Sequence, residues 1–423
     1  MQLSDPMSEP APLPAELHRA WIERQPLVGR DGDTYGYELR QHTTGASGSP
    51  EPLADSAAVL AHLLGDLDDS WLPEGKRIFL QVDLSLLADA DFLELLPDGR
   101  VVLDLSGAMS ADAAVNEAML LACDGLRRRQ IGLCIDEWAL VDASPELLVR
   151  AEFVKLDLSK LDPYVFYQRY AQLKDLPVRC IARGVTDGRQ YRFCRDAGFQ
   201  LFQGYFFTRP EIVPTREPGA GLAQLVQIFD LVGAQASPKK IEEAFKHDPT
   251  LMLKFLGYIN SAGMGMIHKV TSVAHAVQIL GYKQLYRWVA LLLYTAGKGE
   301  TPAALMKTVL TRSRLIELLG REIVPKHEQD NLFVVGMVSL LDVVFGRPLI
   351  EVLARLPLPE VVLRAVLDHD GTLGLLLMLA EALEAGEVDQ IASLATTLRL
   401  DEAQINQSQW DAMRWAEQLG AAG

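Results

Sequence analysis

Near residue 210 the chain changes period, and that change constrains its fold more than any other feature. Before it, short apolar runs alternate with amphipathic stretches. RIFLQVDL (77–84), RVVLDLS (100–106), IGLCIDEW (131–138), AEFVKLDL (151–158), VRCIARG (178–184) and FQLFQGYFF (199–207) read as strands. Helix-like segments such as 110–129 and 187–197 lie between them. Strand–helix–strand alternation of this kind predicts a parallel sheet. Each strand ends in a polar residue: Asp83, Asp104, Asp136 with Glu137, Lys155 with Asp157, Arg183, and Gln203. Polar groups gathered at the C-terminal ends of successive parallel strands are the site geometry of a (β/α) barrel. The segment is about 195 residues, shorter than the roughly 250 typical of that barrel, so a missing or replaced element is expected.

The stretch TRPEIVPTREPGAG (208–221) interrupts this pattern with prolines and small turn formers. It reads as a linker. Beyond it, apolar residues recur every three or four positions in segment after segment, separated by short turns marked by proline or glycine. That pattern predicts an all-helical second domain. The expected organisation is a disordered leader (1–16), a shortened barrel (17–210), a linker (211–221) and a helical domain (222–420). A chain of 423 residues is long enough for two cores.

Charge and cysteine usage narrow the partners. A net charge of −16 argues against nucleic acid and anionic membranes, which need a positive field. The longest apolar runs fall well short of the roughly 20 residues of a membrane span. The acidic, proline-containing start lacks the features of a signal peptide. Cys123, Cys134, Cys180 and Cys194 form no CxxC pair, which suits buried thiols in a reducing cytoplasm.

Glu38, Asp83, Asp104, Asp136 and Asp157 are candidates for one pocket. Converging carboxylates repel unless a cation lies between them, and hard divalent ions are the usual solution. The alternative is a set of separate, solvated strand ends. On spacing alone that alternative is preferred.

The motifs in this half resemble those of the EAL domain family, barrel enzymes that hydrolyse cyclic di-GMP with two divalent metals. YGYELR carries Glu38 where the family has a metal-binding glutamate. VDLS (82–85), LDLSG (103–107), IDEWA (135–139), FVKLD (153–157), IARGVTD (181–187) and QGYFFTRP (203–210) follow in the family's order. By this resemblance Glu38, Asp136, Lys155, Asp157 and Gln203 are kept. Asp83, Asp104 and Glu137 are replacements that preserve an oxygen ligand. Arg183 stands where the family has a glutamate thought to bind metal or activate water. Thr186 replaces the glutamate that holds a loop over the site, Gly107 replaces its partner, and His42 aligns with a phosphate-holding arginine. A guanidinium stays charged at working pH, and a third cation beside two dications about 4 Å apart is strongly disfavoured. The expectation is a catalytically silent barrel in which Arg183 pairs with Asp136, Glu137 or Asp157 and Lys155 joins the same network. No cofactor is expected. Under the alternative, a phosphodiesterase, Mg²⁺ or Mn²⁺ would be held by Glu38, Asp83, Asp104 and Asp136. A third reading is a receptor that binds cyclic di-GMP through Arg40, His42, Arg183 and Gln203 without cutting it.

The helical half contains two His-Asp pairs, the signature dipeptide of metal phosphohydrolases. His247-Asp248 precedes Pro249, which suits a helix start, with Asp248 capping. His369-Asp370-Gly371 suits a helix end, with the glycine as the stop. His268, His275 and His327 show no ligand spacing. HDPTLMLKFLGYINSAGMG (247–265) and SVAHAVQILGYKQLYRW (272–288) resemble the HDOD domain, a helical relative of those hydrolases that lacks the metal residues. Ser339-Leu340-Leu341-Asp342 occupies the position of the enzyme's His-Asp. Leu280-Gly281 reads as a close helix approach, and Asn260-Ser261 as a cap. Tyr282, Tyr286 and Trp288 are candidate anchors for a partner, with core burial the preferred reading for at least two of them. The resemblance implies a cytoplasmic bacterial signalling scaffold whose partners are other proteins, with self-association left open.

Overall fold

The computed structural model describes residues 20–43, 75–88, 90–106, 113–136, 145–204, 206, 208, 220–260, 270–295 and 303–420. The leader, most of the linker (211–219), Gly107, Glu137, Ser261 and His268 lie outside the described residues. Asp83 and His42 are placed by backbone only. Two compact units divide the chain, Pro14–Arg209 and Pro210–Gly423.

The first unit is a closed barrel of eight strands in sequence order: β1 (Ala20–Gly29), β2 (Thr34–Thr43), β3 (Arg77–Asp83), β4 (Val101–Ser106), β5 (Gly132–Asp136), β6 (Phe153–Asp157), β7 (Arg179–Arg183) and β8 (Leu201–Gln203). β2 to β8 run parallel, whereas β1 is antiparallel to both its neighbours. The barrel is short because its first connection is a hairpin and not a helical crossover. Gly32 supplies the positive φ of that turn (83°), and its amide donates to Gly29 O at 3.1 Å. β8 stops at Gln203, short of the expected 199–207, because Gly204 adopts φ 147°. A Cβ there would lie 2.0 Å from Val185 O.

Side chains alternate along each strand. Leu27, Phe79, Val102, Cys134, Phe153, Ile181 and Leu201 form the apolar filling of the barrel. Two residues further along their strands come Gln81, Asp104, Asp136, Lys155, Arg183 and Gln203. Glu38 and Arg40 share one face of β2 by the same alternation. Period two thus places a polar layer on an apolar one, and the strand register decides who meets whom. Lys155 is paired with Asp136, and Asp157 with Arg183.

The outer helices of the described barrel are α1 (Ala90–Leu95), α2 (Ala113–Arg128), α3 (Pro145–Arg150), α4 (Pro163–Leu173) and α5 (Gly188–Ala197). α5 follows β7 closely. Asp187 caps it by accepting from the amides of Arg189 (2.8 Å) and Gln190 (2.9 Å).

The second unit is helical: α6 (Ala220–Gly233), α7 (Pro238–Lys246), α8 (Pro249–Ile259), α9 (Val273–Leu292), α10 (Ala303–Gly320), α11 (Gln329–Val338), α12 (Leu341–Phe345), α13 (Leu349–Leu353), α14 (Glu360–Asp368), α15 (Gly371–Ala385), α16 (Val388–Leu398) and α17 (Glu402–Gly420). α10 packs on α11, α15 and α17. Gly336 makes the first contact close, since a Cβ there would lie 2.6 Å from Ser313 Cα. Three local readings change. Gly281 is not a close-approach glycine: a Cβ would meet nothing within 4 Å, and its φ of 73° instead bends α9. The stop after α14 is His369 itself, left-handed at φ 53°, while Gly371 already begins α15. Asn260 is a clamp more than a cap, since its side chain bonds Leu256 O, Val270 O and the Val270 amide at 2.7–2.8 Å. Asp248 accepts from the Leu251 amide at 3.0 Å and so caps α8. Among the described residues, no helix is long and apolar enough to cross a membrane.

Candidate functional site

The polar layer of the barrel centres on Glu38, which is fully buried. Its Oε2 accepts from Lys155 Nζ at 2.6 Å and from Gln203 Nε2 at 2.5 Å. Its Oε1 accepts from Arg40 Nε at 2.6 Å. Lys155 Nζ also reaches Asp104 Oδ2 at 2.5 Å, so one ammonium joins two carboxylates from β2 and β4. Gln203 passes its second N–H to Gln25 Oε1 at 2.8 Å. Gln203 Oε1 is buried without a partner among the described residues.

Charge, not solvent, sets the protonation here. Burial pushes the Glu38 carboxyl up, but Lys155, then Arg40 and Arg183, hold it well below the usual carboxylate range. Burial pushes Lys155 down, and Asp104 and Glu38 together hold it above the ordinary lysine value. The Cys134 thiol, against the same cluster, is pushed up by burial and then by the Asp104 charge.

Arg183 stands at the edge of this network. Its Nε lies 3.9 Å from Asp157 Oδ2, and its side chain is 24% exposed. Asp157 is held more tightly by its own turn, accepting from the Ser159 amide at 2.9 Å and the Ser159 hydroxyl at 2.5 Å. Gly184 leaves room for that turn, since a Cβ would lie 2.9 Å from Asp157 Oδ1. Thr186 turns away into the start of α5, where its hydroxyl and amide both donate to Gln190 Oε1. Asp136 is partly buried beside Lys155 in register.

The structure thus brings Glu38, Asp104, Lys155 and Gln203 together, adds Arg40, and leaves Asp157 with Arg183 as a second pair. Gln25 escaped the sequence reading. Its strand, AWIERQPLVG, carries three charged or amide side chains and a proline, and so lacks a clean alternation. The one available signal is that Gln25 faces Glu38 across the hairpin.

A divalent ion of the kind the EAL motifs imply would need free carboxylate oxygens. Both Glu38 oxygens are engaged, chiefly by cations, and Asp104 Oδ2 is held by Lys155. Among the described residues, no three His, Cys, Asp or Glu side chains gather around one point. Among the described residues the side-chain arrangement does not fit such an ion, while the Asp83 side chain and Glu137, two of the expected oxygen ligands, lie outside them.

The helical unit has a polar cluster of its own. Buried Arg312 donates to Glu384 Oε1 at 2.9 Å and to Ser339 Oγ at 2.8 Å, with Glu381 at 3.4 Å. Glu381 also meets His369 Nε2 at 3.1 Å. Ser339, the first residue of the run that stands where an HD enzyme has its His-Asp, is therefore bound to an arginine. Asp342, at the start of α12, is pushed upward in pKa by burial.

Comparison with known proteins follows this division. Residues 224–345 match the HDOD domain family. A closed barrel whose strand ends carry motifs similar to those of EAL domains is thus followed by a match to the HDOD family, an order that resembles the EAL–HDOD organisation. Over its whole length the chain is similar to the uncharacterized protein YuxH of Bacillus subtilis (strain 168), 24% identical over 412 residues, covering 95% of this chain and 99% of that one. It is similar also to a Vibrio cholerae protein, the cyclic di-GMP phosphodiesterase CdgJ, at 24% identity over 419 residues, covering 98% of this chain and 96% of the relative. Among solved structures, an EAL domain protein from Listeria monocytogenes EGD-e is similar at 16% identity and a TM-score of 0.36, covering 46% of this chain and 89% of that one.

Proposed function

We propose that this protein is a cytoplasmic signalling scaffold of the cyclic di-GMP-related EAL–HDOD class. In this reading its barrel does not hydrolyse the nucleotide and its helical unit passes the signal to protein partners. The observation that supports it is the positive charge gathered on Glu38. This carboxylate aligns with a metal-binding glutamate, and it is bonded by Lys155 and Arg40 and depressed further by Arg183. Arg183 occupies the position of an acidic residue, so the layer gains a cation where a two-metal hydrolase needs an anion. The reading assigns no metal and no cofactor, and no step of chemistry to Lys155. Incubating the full chain with cyclic di-GMP and Mg²⁺ or Mn²⁺, with product followed by chromatography, tests it. The expected result is no turnover, and sustained formation of linear dinucleotide refutes it.

One observation favours a second reading. The Vibrio cholerae relative, similar over nearly the whole chain, is named a cyclic di-GMP phosphodiesterase. If this protein shares that activity, the same assay returns metal-dependent turnover. Calorimetric titration with cyclic di-GMP separates the scaffold from a receptor that binds without cutting, and the turnover assay separates that receptor from the enzyme.

A further inference from the structure

The bend at Gly281 has a consequence in the helical unit. It starts a new helical segment at Tyr282, and the four-residue spacing sets Tyr282 and Tyr286 on one face. Both are half-buried, whereas Trp288 turns into the core at 5% exposure. Tyr282 is pinned by a hydrogen bond to Ala236 O at 2.8 Å, and Tyr286 packs on Phe229 of α6 with ring centroids 4.2 Å apart. Opposite them runs Pro357-Leu358-Pro359, the link between α13 and α14. Rings, prolines and the end of α6 enclose an open cleft of about 480 Å³, within the range of ligand-binding pockets.

The charges of the cleft do not balance. Lys283 on its rim is paired with Asp330 at 2.5 Å. Asp230, exposed near the end of α6, pairs with no cation among the described residues. Asp230 and Tyr286 line the same cleft, and the Tyr286 phenol is pushed up in pKa by burial and then by the charge of Asp230. An apolar floor with one uncompensated carboxylate at its edge is complementary to an apolar group that carries a positive charge. The walls are stiff, since proline fixes φ and both tyrosines are held, so little ordering cost attends binding.

We propose that this cleft binds an extended polypeptide segment in which a lysine or arginine lies beside proline or an aliphatic residue. The basic group meets Asp230, and the apolar residue lies on the Tyr282–Tyr286 rings. Open grooves lined by aromatic side chains suit extended and polyproline-type chains, because such segments are already ordered before they bind. This names the partner chemistry for the output side of the scaffold reading. It rests on that reading only for its biological use, because the peptide assay needs neither cyclic di-GMP nor the barrel site.

The test is selection of a randomised, phage-displayed octapeptide library on the immobilised full chain, followed by fluorescence polarisation with the enriched peptides. Enrichment of Lys or Arg next to Pro, Leu, Ile or Val is expected, with binding that weakens as salt rises. Asp230→Lys and Tyr286→Ala should each weaken it by at least about tenfold. Asp230→Asn should give an intermediate loss, and it alters only an exposed side chain, so it keeps the test decisive if Tyr286→Ala misfolds. An acidic or absent consensus overturns the proposal, as does binding that Asp230→Lys leaves unchanged. A dimer dispersed by Asp230→Lys, in place of peptide binding, also overturns it and makes a second copy the occupant. Success here alongside cyclic di-GMP hydrolysis would reject the silent-barrel reading alone.

Discussion

Replacing Lys155 by methionine removes the ammonium that joins Glu38 and Asp104 but keeps most of the side-chain volume. Lys155 is 1% exposed and Glu38 fully buried, so water cannot replace the lost partner. At the observed separations of 2.5–2.6 Å each contact has a gross attraction of about 6 kcal/mol at an effective dielectric of ~20. Most of that offsets desolvation of three charges. What survives as a mutational cost is the penalty of two buried carboxylates that lose their shared cation, Glu38 keeping Arg40 and Gln203, about 3–5 kcal/mol. In a unit of this size that lowers the melting temperature by roughly 6–20 °C. Urea unfolding of wild type, Lys155→Met and Lys155→Met/Glu38→Gln measures it. The second substitution neutralises the stranded carboxylate and should recover part of the loss. A loss below about 1 kcal/mol for Lys155→Met, or a double variant no better than the single one, would refute the reasoning.

The same cluster sets a pH window. Glu38 is depressed below the ordinary carboxylate value of 4.5 when folded, so its contribution is complete above that pH and disappears as pH falls through the folded value. Lys155 is raised above the ordinary lysine value of 10.5, so its contribution is complete below that pH and disappears as pH rises through the folded value. Unfolding free energy should carry the full contribution of the cluster between these limits, and Lys155→Met should remove the alkaline edge. All four cysteines are buried, with Cys180 and Cys194 pushed up to about 12 by burial and Cys123 to about 11, so native protein at pH 8 should resist a thiol reagent until urea opens the barrel. Rapid labelling of the native state would contradict this. In the helical unit, Arg312→Met removes the buried partner of Glu384 and Ser339, and since Glu384 is itself 28% exposed it should cost about 1–3 kcal/mol by calorimetry; a change near zero would mean that water replaces the arginine.

What the sequence revealed depended on how local the cause was. β3 to β7 are dense apolar runs, and their periodicity alone predicts them. β1 is not: Glu23, Arg24, Gln25 and Pro26 interrupt its alternation, and it exists because β2 and β8 supply edges for it. Three residues of the site, Asp104, Lys155 and Gln203, were legible as strand ends, and Glu38 through the YGYELR motif. Their partnerships were not, because a lysine reaching from β6 to both β2 and β4 depends on barrel closure, a non-local property. The helical unit shows the same split. LGYKQLY announced a helix and a glycine, but only the φ of Gly281 turns the two tyrosines into a cleft floor.

Arg183 is where sequence and geometry pull apart. From its position alone it belonged at the centre of the carboxylates, yet Lys155 holds that place and Arg183 lies 3.9 Å from Asp157, partly exposed. A pair so long and open stabilises by no more than about 1 kcal/mol. Arg183→Glu should therefore fold, with a melting temperature within a few degrees of wild type. Its electrostatic effect is larger, because it exchanges a cation that depresses Glu38 for an anion, a change of two charge units near the layer. If Arg183 keeps divalent ions out, Mn²⁺ should raise the melting temperature of Arg183→Glu and not that of wild type. An ion present at a hundred times its dissociation constant adds about 2.7 kcal/mol, which a thermal scan resolves. Stabilisation of wild type by the same Mn²⁺ would remove the argument for a silent barrel. No stabilisation of either would move the exclusion from Arg183 to Lys155 and Arg40, the two cations in direct contact with Glu38.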